Sequence, residues 1–160
     1  MNKFIILQGI PASGKSTIAR AWQGDDPTHR VIVNRDSLRR ARGQYWVPNQ
    51  EKFIEELETS MLNLAMAHCY DIIVDATNFS PETLERFAAM TKPYPYYEME
   101  TWLIHESRET CISRDCNEDR DHNVGLGVID NFYRKYVAYC QGNNIEMIPG
   151  TILKRPFTCQ

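Results

Sequence analysis

Short apolar runs punctuate the chain, each closed by a turn or by a segment with helical spacing. Phe4-Ile5-Ile6-Leu7 contains no polar residue, as expected of a strand buried on both faces of a parallel sheet. Val31-Ile32-Val33 and Asp71-Ile72-Ile73-Val74-Asp75 repeat the pattern, the first running into Asn34-Arg35-Asp36 and the second ending on an acid. Tyr96 to Ile104 predicts a fourth strand, and Ile145 to Ile148 a last one. Between the strands the period becomes helical: from Lys15 through Ala21, along Phe53, Leu57, Met61 and Ala65 on one face, from Thr110 to about Glu118, and from Val128 to Tyr139. Ser80-Pro81 reads as an N-cap before a first-turn proline, opening a helix that lasts to about Thr91, where Lys92-Pro93 stops it. Asn117 to Gly127 is polar, charged and glycine-punctuated, which suits a mobile loop. Strands alternating with helices predict one α/β domain over residues 1–160, a mostly parallel sheet with helices on both faces and right-handed crossovers.

Composition narrows this little. At 160 residues, 42% hydrophobic and 24% charged, the chain is neither disordered nor collagen-like. It is long enough to bury a core without a disulfide or metal staple. The 18 Lys+Arg against 21 Asp+Glu give a net charge of −3, which excludes a global basic field but leaves room for a local phosphate-binding patch. The cysteines (Cys69, Cys111, Cys116, Cys140, Cys159) are odd in number, lack CxxC spacing and suggest no zinc site. The apolar run after Met1-Asn2-Lys3 is too short for a signal peptide or a membrane span. Reduced thiols and a cytoplasmic location, away from membranes, are the expectation.

Chemistry enters at Gly9-Ile10-Pro11-Ala12-Ser13-Gly14-Lys15-Ser16-Thr17. This segment contains G-x-x-x-x-G-K-[ST], the Walker A pattern, with the required strand before it and helix after it. Glycines let backbone N–H groups turn inward around a phosphate, and the following helix adds its positive dipole end. Lys15 is suited to the β- and γ-phosphates and the Ser16 hydroxyl to one Mg²⁺ position. Nucleoside triphosphate binding follows.

No N-K-x-D guanine reader occurs, and a AAA+ or helicase motor would need a longer chain. The remaining class is the P-loop kinase fold, in which catalysis is positioning and charge neutralisation. Asp36, just past the second strand, is placed either to accept a proton from an attacking hydroxyl or to cap the next helix. Arg39, Arg40 and Arg42 are either phosphate-binding forks or an exposed basic face. Tyr45-Trp46 either stacks a nucleobase or packs into a turn. Asp75 suits a Walker B-type acid, a partner for an acceptor-side arginine, or an ordinary strand-end cap. A lid around 108–125 would carry Arg114 and Arg120, with Arg108 left as surface charge.

Together these residues resemble the 5′-kinase domain of the phage-type polynucleotide kinase family. The likeness runs through Gly9 to Thr17, Val33-Asn34-Arg35-Asp36-Ser37-Leu38-Arg39 and Asp75-Ala76-Thr77-Asn78-Phe79-Ser80-Pro81-Glu82. It continues to Arg114 and Arg120 ahead of Val124-Gly125 and the helix with Phe132-Tyr133. The resemblance implies transfer of the ATP γ-phosphate, with Mg²⁺, to the 5′-OH end of DNA or RNA. It also implies nucleic acid repair in a bacterial or phage-infected cytosol, and leaves a homo-oligomer open. On that reading Asp36 is the general base, Arg39 grips the neighbouring phosphodiester, and Asp75 and Asn78 support the acceptor site. Lys15, Arg114 and Arg120 neutralise the donor phosphates.

Three departures stand out. No D-x-D-x-[TV] phosphatase motif is present, acids interleave Arg114 and Arg120, and Arg40 to Gln50 has no counterpart. Alternative expectations are a small-metabolite or nucleotide kinase on the same scaffold, a kinase of another macromolecule such as a charged tRNA, or a non-catalytic nucleotide-binding module.

Overall fold

A computed structural model describes residues 1–44, 46–117 and 123–157. The strands are β1 (Asn2–Gln8), β2 (Arg30–Asn34), β3 (Asp71–Asp75), β4 (Tyr97–Ile104) and β5 (Ile152–Pro156). The helices are α1 (Lys15–Asp25), α2 (Arg35–Arg42), α3 (Glu51–Ala67), α4 (Pro81–Thr91), α5 (Arg108–Asp115) and α6 (Leu126–Gly142), with a single 3-10 turn at Pro48–Gln50 before α3. The sheet order is β2-β3-β1-β4-β5. The first four strands run parallel, and β5 pairs antiparallel with the edge of β4.

Period-2 alternation on β1 divides the core. Phe4 and Ile6 join Ile72, Val74 and Val33 against Leu62, Ala65 and Met66 of α3 and Leu84 and Phe87 of α4. Ile5 and Leu7 point the other way, with Ile73, Trp102 and Ile104, onto Ala19 of α1. A third cluster ties Leu103 to Cys111 of α5 and to Ile129, Tyr136 and Cys140 of α6. Helices therefore cover both faces. The carboxyl ends of β1, β2 and β3 open on one crevice, where ligands collect in open α/β sheets. Among the described residues no helix is long and apolar enough to cross a membrane.

Two expectations are corrected. Ile145–Ile148 is not a strand. It lies between Asn144 and Gly150, both with positive φ (53° and 79°), so the chain turns there. The last strand is β5, whose alternating half-buried and exposed residues fit an edge. The buried face of α3 is Ile54, Glu58, Leu62, Ala65 and Met66, while Phe53 and Met61 are exposed. The stripe is rotated because Glu58, a charged residue, sits at its centre, only 1% exposed.

Candidate active site

The loop after β1 is shaped by two left-handed residues, Ala12 (φ 64°) and Gly14 (φ 101°). Gly9 is required by space: a Cβ there would stand 2.7 Å from Ser13 Oγ and 3.3 Å from Lys15 Cγ. Ser13 Oγ is itself buried without a hydrogen-bond partner. Lys15 Nζ donates to the carbonyls of Gly9 (3.0 Å) and Ile10 (2.8 Å), poised across the loop. Ser16 Oγ donates to Asp75 Oδ2 at 2.7 Å, and Asn34 Nδ2 donates to the same oxygen at 2.9 Å. A hydroxyl beside a carboxylate at the end of β3 is an oxygen donor set that suits Mg²⁺. The tight cradle with its unpartnered hydroxyl suits a phosphate chain.

Arg114 of α5 reaches over this loop. Its Nη1 lies 3.4 Å from the Ala12 carbonyl and its Nη2 3.2 Å from Glu106 Oε2. Both oxygens of buried Asp115 accept backbone N–H bonds, from Val124 at 3.0 Å and Gly125 at 2.9 Å, so α5 and the start of α6 are pinned together. Arg108 pairs with Asp130 of α6, holding that carboxyl below the usual aspartate range. Arg120 lies outside the described residues.

On the other side stands α2. Its N-cap is Asn34, whose Oδ1 accepts the Ser37 N–H at 2.8 Å. Asp36 is therefore not the cap; it lies in the first turn with its side chain about half exposed. Arg39 Nη1 donates to Asp36 Oδ1 at 2.6 Å. Its Nε and Nη2 donate to the two oxygens of Glu51, at 2.8 and 2.7 Å. That fork holds Glu51's carboxyl below the ordinary glutamate value. Behind it, buried Glu58 accepts from Arg35 at 2.9 Å and from Arg86 of α4, joining α2, α3 and α4.

One cavity of about 1090 Å³ is lined by Lys15, Ser16 and Asp75 and also by Asp36, Arg39 and Trp46. Lys135 and Tyr139 of α6 close another wall. Asn78 reaches it too, but its side-chain amide donates to the carbonyls of Leu7 (2.9 Å) and Ala76 (3.1 Å). Asn78 thereby fixes the loop after β3 to β1. Asp75, expected on the acceptor side, has Ser16 as its neighbour. Asn34 could have been found as a cap from its residue type at a strand end. Glu51 and Glu58 carry no local signal, since their partners come from other helices.

The family described as an AAA domain (AAA_33) matches residues 4–138. The L-seryl-tRNA(Sec) kinase of Methanococcus maripaludis is 30% identical over 135 residues, covering 82% of this chain and 51% of that protein. NEDD4-binding protein 2 of Homo sapiens is 28% identical over 121 residues, covering 66% of this chain and 6% of that protein. The chain thus spans about half of one curated relative and a small part of the other. In the solved structure of the Pnkp1/Rnl/Hen1 RNA repair complex, one chain superimposes with a TM-score of 0.76 at 23% identity. That match covers 94% of this chain and 49% of the other, and shows the shared fold.

Proposed function

The chain belongs to the AAA domain family as a P-loop kinase-type domain, and from that premise we propose that it is a polynucleotide 5′-hydroxyl kinase using ATP and Mg²⁺. The observation that carries this reading is the shared cavity, where Asp36 and Arg39 face the same space as Lys15 and Ser16. A carboxylate bound to a guanidinium, next to a phosphate loop, suits an acceptor that brings a hydroxyl and its own phosphate.

On this reading an Asp36 carboxylate oxygen takes the proton of the 5′-OH while the 5′ oxygen itself bonds to the γ-phosphorus. The bond to the β,γ-bridging oxygen breaks, its electron pair leaves with ADP, and Asp36 then releases the proton to solvent. Arg39, fixed by Glu51, holds the acceptor's first phosphodiester. Lys15 and Arg114 lie along the donor phosphates, where negative charge gathers during transfer. Ser16, with Asp75 behind it, would hold Mg²⁺, which would supply positive charge to the donor phosphates. Asp75 thus serves the donor side, and Asn78 shapes the cavity floor. Residues 108–125 are assigned as the lid segment, with Arg120 as its second arginine.

A second reading draws on the seryl-tRNA(Sec) kinase relative: the hydroxyl phosphorylated belongs to a seryl group carried on RNA. Labelled γ-phosphate transfer separates the two. The preferred reading expects label on a 5′-OH oligonucleotide, none on the same strand bearing a 5′-phosphate, and none on the seryl group of seryl-tRNA. Label on the seryl group alone reverses the assignment.

A further inference from the structure

Trp46 is 53% exposed, and it lines the cavity in the same wall as Asp36 and Arg39. An indole this bare is unusual, because tryptophan is highly buried on average. Trp22 and Trp102 both pack with the cluster beneath α1. The ring of Trp46 also has a cation–π neighbour. Arg39 Cζ lies 5.8 Å from its centroid, and Arg39 is fixed by Asp36 and both oxygens of Glu51. Pro48 opens the 3-10 turn two residues later and stiffens the backbone on that side. A flat aromatic surface, half exposed and flanked by a fixed guanidinium, thus lines the same cavity as the carboxylate assigned to the attacking hydroxyl. Low ordering cost makes such a surface an effective binding element.

We propose that Trp46 is the stacking platform for the 5′-terminal nucleobase of the acceptor strand. This rests on the polynucleotide kinase reading above. A 5′-terminal nucleoside carries its hydroxyl and its base on one sugar, so a group that positions the base also positions the hydroxyl. Arg39 couples the two, since the same guanidinium touches Asp36 and covers the indole. Every base offers a π-face, so stacking accepts strand ends of any sequence. The alternative is that Trp46 only packs on the Arg39 stem and steadies the end of α2.

The test compares two acceptors, a 5′-OH oligonucleotide and the same strand with an abasic 5′-terminal residue, in the wild-type protein, Trp46→Ala and Trp46→Phe. Trp46→Ala is expected to raise KM for the intact strand by about 5- to 100-fold, the usual range for losing one base–aromatic stack. The KM for ATP should stay within about twofold, and Trp46→Phe should stay near wild type. On the abasic strand the wild-type protein and Trp46→Ala should behave alike. An equal loss on both acceptors makes Trp46 a packing residue, and a raised ATP KM makes it a donor-side residue; either result overturns the proposal. Should Trp46→Ala fail to fold, tryptophan emission on adding the 5′-OH strand without ATP decides. Quenching is expected in the wild-type protein and should be lost in Trp46→Phe, whereas equal quenching in both overturns it. A wild-type protein that phosphorylates no oligonucleotide removes the kinase reading and this proposal together. Wild-type transfer that is indifferent to Trp46 removes only the platform.

Discussion

Glu51→Gln isolates the positioning of the acceptor-side arginine without touching the groups assigned to chemistry. Both Glu51 oxygens accept from Arg39, at 2.8 and 2.7 Å, in a bidentate fork. The Arg39 side chain is 15% exposed and that of Glu51 27%, so the pair is screened less than a surface ion pair. Hydrogen bonds to charged groups contribute about 1.5–3 kcal/mol each when well buried, and partial exposure with Asp36 still in place brings the loss to about 1–2 kcal/mol. Glutamine keeps one acceptor and turns an N–H₂ group toward a cation, so the fork cannot reform. About 1.4 kcal/mol of lost positioning is roughly tenfold. With the 5′-OH strand varied at saturating ATP, KM for the strand should therefore rise about tenfold while KM for ATP stays nearly constant. Arg39→Ala should shift the same parameter further, and the two changes should not add, because they remove one interaction. The same pair gives a pH signature. Arg39 holds the Glu51 carboxyl below its ordinary value, so the unfolded chain takes up that proton first on acidification. The stabilisation is complete above the unfolded value and fades as pH falls through the folded one, so Glu51→Gln should flatten the acid limb of a urea-denaturation profile. An unchanged acceptor KM, or a raised ATP KM, would refute this role for Glu51.

Two further predictions concern the donor side. Gly9→Ala puts a Cβ 2.7 Å from a buried Ser13 Oγ, so the Ser13 side chain or the phosphate loop that carries it must give way. ATP affinity measured by calorimetry should fall about tenfold or more, with overpacking of this kind costing about 1–3 kcal/mol; wild-type affinity would contradict the cradle. Arg114→Ala removes the guanidinium beside the Ala12 carbonyl and Gly14. Turnover should drop about 10²- to 10³-fold with ATP affinity held within a few fold, and weaker ATP binding at unchanged turnover would make Arg114 a ground-state holder instead.

The parts of the fold that depend on local pattern were legible in the sequence. β3 at Asp71–Asp75 and α4 at Pro81–Thr91 follow from an uninterrupted apolar run and from a cap with first-turn proline. The phosphate loop was legible because glycine spacing between a strand and a helix has one main structural use. What depends on distant partners was not. The buried stripe of α3 escapes a hydrophobic-period pattern because Glu58 occupies its centre, and the burial of that carboxylate makes sense only with Arg35 and Arg86 supplied by other helices. β5 carries no apolar run or alternation, since Ile152-Leu153 is followed directly by Lys154-Arg155-Pro156, and the segment becomes an edge strand only beside β4. Within the site, Asp36 and Asn34 were interchangeable as caps on residue type alone. The backbone gives the cap to Asn34 and leaves Asp36 in the cavity wall. The clamp on Arg39 comes from Glu51, twelve residues away across a turn, where no short motif could signal it.

The central claim, that Asp36 serves the acceptor in a cavity that binds ATP independently of it, is tested most directly by Asp36→Asn. ATP affinity by calorimetry would be measured beside transfer of labelled γ-phosphate to a 5′-OH oligonucleotide. Loss of transfer with ATP affinity held within a few fold is the predicted result. Wild-type transfer in Asp36→Asn would contradict the account, as would loss of ATP binding in step with transfer.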